Sequence, residues 1–583
     1  MARTQNGAQY TASFLRRAGV EFVFGIPGHG NVSIFDAVKD ESSMRLVAPK
    51  HEQWGGHMAD GYFRAQRRTP AVVTTSVGPG ATNLATALAT AFVDSSTFIA
   101  ITGDIQTYLF GMGIFQEVER KNWVDYANGI SHFTKRTWQI TSVRQLSKVL
   151  PNALKTALSG RPGPVLLDVP MDVQVAESQG AVPDPRGHMP FGRVYPDGAA
   201  VGEACKLLLA AERPLILIGG GVVMSGATDE LVRLAEFLGA PVVSSFRGDA
   251  KSGFPNDHEL WGFHPGNVGS SVANALTKEA DVVLALGVTF SDETTSSFVD
   301  GITFNVPPTK IVQVDVDPHE IGKNYPVAVG MVADLRAALE ALLIGLGAMS
   351  RKRDFHKGAW FKRFRALRKE WDSEMAKLWS RAPMGIPNVV RLLREEVPRD
   401  GIVTVSAGLP QEILSQQWSS FVPNTFISSG GFSTMGFALP AAMGAKLAAP
   451  KRRVTAVEGD GSFLMNSVEL STAVSEHIPI LVVVLNNYGW ISIRDLQIRG
   501  FKKRLLGTEF ERPVDFERLS TAYGAEYARA ESPKEFSSAV RKAIRADSVN
   551  VVEAVVDRRF PKSGTFSYGY WDIPTPYERP RSG

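Results

Sequence analysis

Val454-Thr-Ala-Val-Glu-Gly459-Asp460-Gly461-Ser462 and, one helix length later, Ile480-Leu-Val-Val-Val-Leu485-Asn486-Asn487 decide how this chain folds. Each half holds a strand-length apolar run bounded by turn residues. The pattern predicts a buried strand, a Gly-Asp-Gly turn, a helix, and a second buried strand ending in two asparagines. Such a turn sets Asp460 and the glycine amides at a helix N-terminus, where free N–H groups and the helix dipole favour a phosphate. Asn487 follows Asp460 by 27 positions, at the carboxyl end of the next strand. In a parallel sheet its amide oxygen comes beside the aspartate. A carboxylate, an amide oxygen and a nearby backbone carbonyl form a hard-oxygen set suited to Mg²⁺, with a diphosphate completing the shell.

Gly-Asp-Gly alone is common loop punctuation; the strand–helix–strand setting and the asparagine pair narrow it. No Gly-Lys-Ser/Thr follows the glycines, which excludes a Walker-type loop, and the Gly-x-Gly-x-x-Gly of a dinucleotide fold is missing. The whole segment resembles the thiamine diphosphate (ThDP) motif. That resemblance implies bound ThDP and Mg²⁺, with Gly459, Asp460, Gly461, Ser462 and Asn487 as cofactor contacts and Asp460, Asn487 and the Gly489 carbonyl on the metal.

A chain of 583 residues is too long for one core. With 44% apolar and 21% charged residues it reads as an ordinary globular protein. The net charge of +4 is small, and basic clusters such as Lys451-Arg452-Arg453 read as solvated faces, so no nucleic-acid partner is expected. A single cysteine, Cys205, fits a reducing cytoplasm. Neither a signal peptide nor a membrane span is expected, because every apolar run is of strand length.

Apolar β-branched runs alternate with helical patterns, the mark of α/β architecture. Residues 1–180 hold runs at 21–25, 71–75, 97–101 and 164–169; residues 199–345 hold runs at 214–221, 281–287 and 311–317. Residues 386–560 hold 401–405, the two opening runs and 551–556. Three α/β domains with parallel central sheets are expected. A Pro/Gly-rich linker at 180–198, a connecting helix at 350–372 and an aromatic tail at 561–583 complete the chain.

This order of blocks is similar to the acetolactate synthase and pyruvate oxidase branch of ThDP enzymes, which carry pyrimidine-binding, central and diphosphate-binding domains. His51-Glu52-Gln53 and Val77-Gly-Pro79-Gly-Ala-Thr-Asn83 resemble the activating glutamate and the pyrimidine-contact loop. The resemblance gives Glu52 the catalytic proton, since a buried carboxyl with a raised pKa can protonate the aminopyrimidine. It places Pro79 and Asn83 at the same ring. Ser428-Ser-Gly-Gly-Phe-Ser433-Thr-Met435 resembles the segment that bends the cofactor, with the Ser433 carbonyl as acceptor and Met435 as the wedge. Ser406-Ala-Gly408-Leu-Pro410-Gln411 matches the upstream diphosphate loop, and Phe115-Gln116-Glu117 and Lys135 agree with the acetolactate synthase branch, which implies a catalytic part for Gln116. Members of the family set the glutamate and the diphosphate site on different subunits, which implies a homodimer or homotetramer.

Other positions depart from that branch. Thr289 and Glu293 stand where flavin-binding members carry arginines, which argues against FAD. Asp292 and Asp317 read as holders of ribose hydroxyls or as strand caps, and Leu496 replaces a tryptophan of the second-substrate pocket. Gly28-His29-Gly30-Asn31-Val32 resembles a segment of trihydroxycyclohexanedione hydrolase, and there His29 would move protons. The Phe566–Tyr577 stretch reads as a cover or an interface. The expected activity is a ThDP- and Mg²⁺-dependent lyase or transferase. It makes or cleaves a carbon–carbon bond beside a carbonyl of a small molecule, by 2-keto acid decarboxylation and carboligation. The alternatives are hydrolysis of a cyclic 1,2-dione or an acyloin, a flavin-dependent oxidase, and a non-catalytic homologue.

Overall fold

The eleven apolar runs are the interior strands of three sheets. The computed structural model describes residues 5–118, 121, 125–178, 180–246, 249–352, 354–559, 561 and 571–577. The first sheet runs Arg45–Val47, Phe22–Gly25, Val72–Thr75, Ile99–Asp104, Val165–Pro170, Arg136–Gln139, with every neighbouring pair parallel. The third runs Phe426–Ser428, Ile402–Val405, Val454–Gly459, Leu481–Asn486, Asn550–Val555, Glu526–Ala530, again all parallel. Numbered along the chain within each sheet, both read 2-1-3-4-6-5. The central sheet, Val242–Ser244, Pro214–Ile218, Val282–Leu286, Lys310–Asp315, Val329–Val332, reads 2-1-3-4-5.

Strand order reverses beside the first strand of each sheet, opening a crevice at the carboxyl ends of strands 1 and 3. In the first domain this crevice is edged by the loops after Gly25 and Thr75. In the third it is edged by the turns after Val405 and Gly459. The topology thus brings the His29 loop against the Pro79 loop, and the Gly408 turn against Asp460.

First and third domains share one apolar core that includes Met58, Tyr62, Phe98, Phe437, Ala441 and Phe463. Helices Glu52–Gln66 and Ala438–Ala448 pack so closely that a Cβ on Gly61 would lie 2.1 Å from the Ala441 carbonyl oxygen. One on Gly444 would lie 1.8 Å from that of Met58. The connecting helix occupies Ala359–Trp379, later than the expected 350–372, and buries Trp360, Phe364, Leu367, Trp371, Met375 and Leu378 at helical spacing against the central domain.

Asp317 is a cap, accepting from the His319 N–H at 3.0 Å, and Asp292 opens the short helix Asp292–Thr295. Of the aromatic tail, residues 562–570 and 578–583 lie outside the described residues. The Asp572 N–H donates to the Ser297 hydroxyl, and Tyr577 receives the Arg504 guanidinium on its hydroxyl at 3.2 Å. Among the described residues no helix is long and apolar enough to cross a membrane.

Candidate functional site

The Val454–Gly459 strand delivers Asp460 directly into the first turn of helix Asp460–Asn466. One carboxylate oxygen accepts from the Gly461 N–H at 2.8 Å; the other accepts from the Asn487 and Gly489 N–H groups at 3.1 and 3.0 Å. Burial raises this carboxyl to about 6, against the pull of those amides. The Asn487 side chain is 5% exposed and takes no hydrogen bond from any described residue. With no side-chain partner in the protein, this amide is free to serve as an oxygen ligand for a cation. Among the described residues no cluster of three His, Cys, Asp or Glu side chains could hold a metal. Asp460, Asn487 and Gly489, which converge here, could instead offer one carboxylate, one amide and one carbonyl, a set that would suit Mg²⁺.

The neighbouring strand, Ile402–Val405, leads through Gly408 into helix Leu409–Gln417. The Leu409 N–H is held by the Ser492 hydroxyl at 2.9 Å, and Pro410 supplies none. The Gln411 side chain is buried and braces the adjoining segment: its amide donates to the Gly430 carbonyl at 3.0 Å and accepts from the Ser433 hydroxyl at 2.8 Å. The buried Ser462 hydroxyl accepts from the Gly436 N–H at 2.7 Å. Both side chains therefore shape the Gly430–Gly436 segment. Met435, flanked by these supports, is 39% exposed and so is no core methionine.

Glu458 is the hub beneath this segment. A single carboxylate oxygen accepts from the Ser406 hydroxyl (2.9 Å), the Leu439 N–H (2.9 Å) and the Asn466 amide (2.8 Å). Burial holds its carboxyl above the usual range. Sequence reasoning gave Glu458 no role, although a charge inside a buried strand was a visible signal.

In the first domain, Glu52 opens helix Glu52–Gln66 behind the His51 N-cap. It does not cap the helix: its half-buried carboxylate accepts from the Asn83 amide at 3.0 Å. Pro79 starts the short helix Pro79–Thr82, and a Cβ on the preceding Gly78 would lie 1.7 Å from the Gln116 carbonyl oxygen. Glu52, Pro79, Asn83 and Gln116 thus meet at the crevice. The His29 turn is held by Asn31, which accepts from the Gly28 N–H at 2.9 Å, and by Ser76, which accepts from the Gly30 N–H at 3.1 Å. His29 itself is exposed, and among the described residues its imidazole makes no hydrogen bond. Lys135 lies apart, donating to the Ser159 carbonyl. Gln116, Ser433 and Tyr488 all hold left-handed backbone at φ 69, 53 and 62°. Such strain in non-glycine residues collects at functional sites.

Glu469 ties the two halves together. It is fully buried in the third domain and accepts from the Lys50 N–H at 2.7 Å, two residues before Glu52. Burial raises its carboxyl to about 7; the Lys50 and His51 N–H groups, the Thr472 hydroxyl and the Lys50 charge oppose the rise. A raised carboxyl pKa gives stability that is complete below the unfolded value and is lost as pH climbs through about 7. Glu469→Gln should therefore melt like wild type near pH 4.5 and higher than wild type at pH 8, by up to about 3 kcal/mol. Melting curves that coincide at both pH values would remove Glu469 from this account.

Comparisons with known proteins agree with the three-domain fold. Three family models match in chain order: "Thiamine pyrophosphate enzyme, N-terminal TPP binding domain" over residues 5–123, the central domain over 201–342, and the C-terminal TPP binding domain over 406–554. The chain belongs to the thiamine pyrophosphate enzyme family. It is 35% identical over 565 residues to a probable acetolactate synthase large subunit of Methanocaldococcus jannaschii, covering 94% of this chain and 92% of the relative. It is 34% identical over 558 residues to the acetolactate synthase of Mycobacterium bovis, covering 94% and 87%. With the acetolactate synthase large subunit of Corynebacterium glutamicum the identity is 34% over 555 residues, covering 92% and 84%. The family's ThDP-binding domains are the first and third sheets, and the chain is an acetolactate synthase-like ThDP enzyme.

Proposed function

We propose that this protein uses ThDP and Mg²⁺ to decarboxylate a 2-keto acid and join the remaining fragment to a second carbonyl compound. The observation that carries the reading is the meeting of Asp460, Gly489 and the unpartnered Asn487 amide at the crevice of the third sheet. These three residues would hold the metal, and Gly459, Gly461 and Ser462 lie where the diphosphate would sit. When bound, ThDP supplies a nucleophilic carbon and an electron sink for the bond broken next to a carbonyl. Glu52, oriented by Asn83, holds the proton at the pyrimidine end. Ser433 and Met435 would shape the cofactor's fit, and Gln116 and the exposed His29 would line the substrate side, where His29 would move a proton.

Relatives named acetolactate synthase favour carboligation over the opening of a cyclic dione. The Glu52 and Asp460 clusters share no hydrogen bond among the described residues. Phe115, Phe432 and Met435 are exposed on the single chain. Both facts support a homodimer or homotetramer in which two copies complete each site. Thr289 and Glu293, in place of flavin-binding arginines, support a central domain without FAD, and the expected location is cytoplasmic.

The test is calorimetric titration with ThDP at set Mg²⁺, followed by incubation with 2-keto acids, acyloins and cyclic diones and mass spectrometry of the products. An acyloin formed from 2-keto acids, by protein lacking flavin absorbance, is the expected result. Ring-opened acid from a dione alone, or ThDP binding that ignores Mg²⁺, would overturn it.

A further inference from the structure

The metal loop is held from behind by side chains that the proposed chemistry does not use. Glu553 lies on Asn550–Val555, directly across the parallel ladder from Arg529. It is 1% exposed, and its carboxylate accepts from Arg529 at 3.0 Å, from the Asn486 amide at 2.7 Å and from the Tyr527 hydroxyl. A carboxylate only accepts, so the Asn486 Nδ2 must face it and the Asn486 Oδ1 must face away. That oxygen takes the Tyr488 N–H at 2.9 Å. Arg529 reaches round the same turn and donates to the Tyr488 hydroxyl at 3.1 Å. The Tyr488 carbonyl receives the Phe510 N–H at 3.0 Å. Tyr488 is thereby held at both backbone ends and at its ring tip in a left-handed conformation that residues other than glycine resist. Asn487 and Gly489, on either side of it, both turn their N–H groups to Asp460.

We infer that Glu553, Arg529 and Tyr488 form a latch of positioning residues, setting the Asn487 amide and the Gly489 carbonyl for the cation. This rests on the metal site proposed above and adds what aims its ligands. Outer partners that orient metal ligands commonly govern affinity by ten- to hundredfold. Tyr488→Phe and Arg529→Met both remove the Arg529–Tyr488 hydrogen bond, and Arg529→Met also removes the bond to Glu553, so the double variant should be no worse than Arg529→Met alone.

The experiment titrates Mg²⁺ at saturating ThDP and reads binding by calorimetry, with melting temperature measured without Mg²⁺. Each single variant should need about tenfold more Mg²⁺ for half-saturation. The double variant should match Arg529→Met, and Arg529→Lys, lacking the fork, should recover only part. Melting without Mg²⁺ should stay at the wild-type value in Tyr488→Phe, which leaves the buried Glu553 carboxylate its Arg529 partner. Arg529 is nearly half exposed, so these variants keep a folded core even if Glu553→Gln does not. Wild-type protein that binds no ThDP with Mg²⁺ overturns the metal site and the latch together. Wild type that binds, with variants needing no more Mg²⁺ than it does or with additive losses in the double variant, overturns the latch alone.

Discussion

Glu52→Gln should leave ThDP and Mg²⁺ bound and slow exchange of the cofactor's C2 hydrogen about 10²–10⁴-fold, the usual worth of a positioned acid–base group. Glutamine fills the same volume and keeps an oxygen for the Asn83 amide, which sits 3.0 Å from the native carboxylate. The substitution therefore removes the transferable proton and little else. Binding should survive because the proposed metal and diphosphate contacts belong to the third domain, anchored on Asp460 and its three amide donors. Exchange is measured by quenched NMR in D₂O, with cofactor saturation checked calorimetrically. Asn83→Ala serves as the graded control: it frees the carboxylate to wander while leaving its proton, so a smaller loss is expected. Exchange in Glu52→Gln as fast as in wild type would sink the assignment.

What the sequence revealed, and what it hid, follows from burial. Every strand named from an apolar run lies inside a sheet, covered on both faces, where parallel strands read as continuous Val/Ile/Leu. The six edge strands escaped notice. Arg136–Gln139 and Glu526–Ala530 carry charges because one side meets water, and Arg45–Val47, Val242–Ser244 and Phe426–Ser428 are three residues long. The site divides in the same way. Asp460, Asn487 and Glu52 could be placed because local motifs fix their backbone. Glu458, Glu469 and Glu553 act across distances that no local pattern encodes, and each joins pieces far apart in the chain. Their one sequence mark is a charge within an apolar setting, which is ambiguous until the partner is known.

The other large effect concerns stability at the junction of the domains, where Arg64→Met should lower the melting temperature on the order of 10 °C. Arg64 is 1% exposed. Its guanidinium grips Asp60 with two bonds of 2.8 and 3.0 Å, reaches Asp94 at 3.2 Å and donates to the Ser428 carbonyl at 2.8 Å. Asp249 of the central domain stands 3.8 Å away. Methionine preserves much of the stem but strands two buried carboxylates, and breaking such a pair costs about 3–5 kcal/mol. Adding Asp60→Asn to Arg64→Met should recover part of the loss, since it removes one of those charges. Arg186→Ala is the comparison: its partner Asp184 is exposed, and water screens such a surface pair so that it contributes little. The hub also shapes the site. Asp94 receives the Gly431 N–H at 2.9 Å, and a Cβ on Gly430 would fall 1.8 Å from its carboxylate. The segment leading to Ser433 and Met435 is thus seated on the charges that Arg64 neutralises. Arg64→Met protein should accordingly bind ThDP more weakly even well below its melting point, whereas Arg186→Ala should bind as wild type does. Wild-type melting and wild-type ThDP affinity in Arg64→Met would show that the junction is held by its apolar core alone.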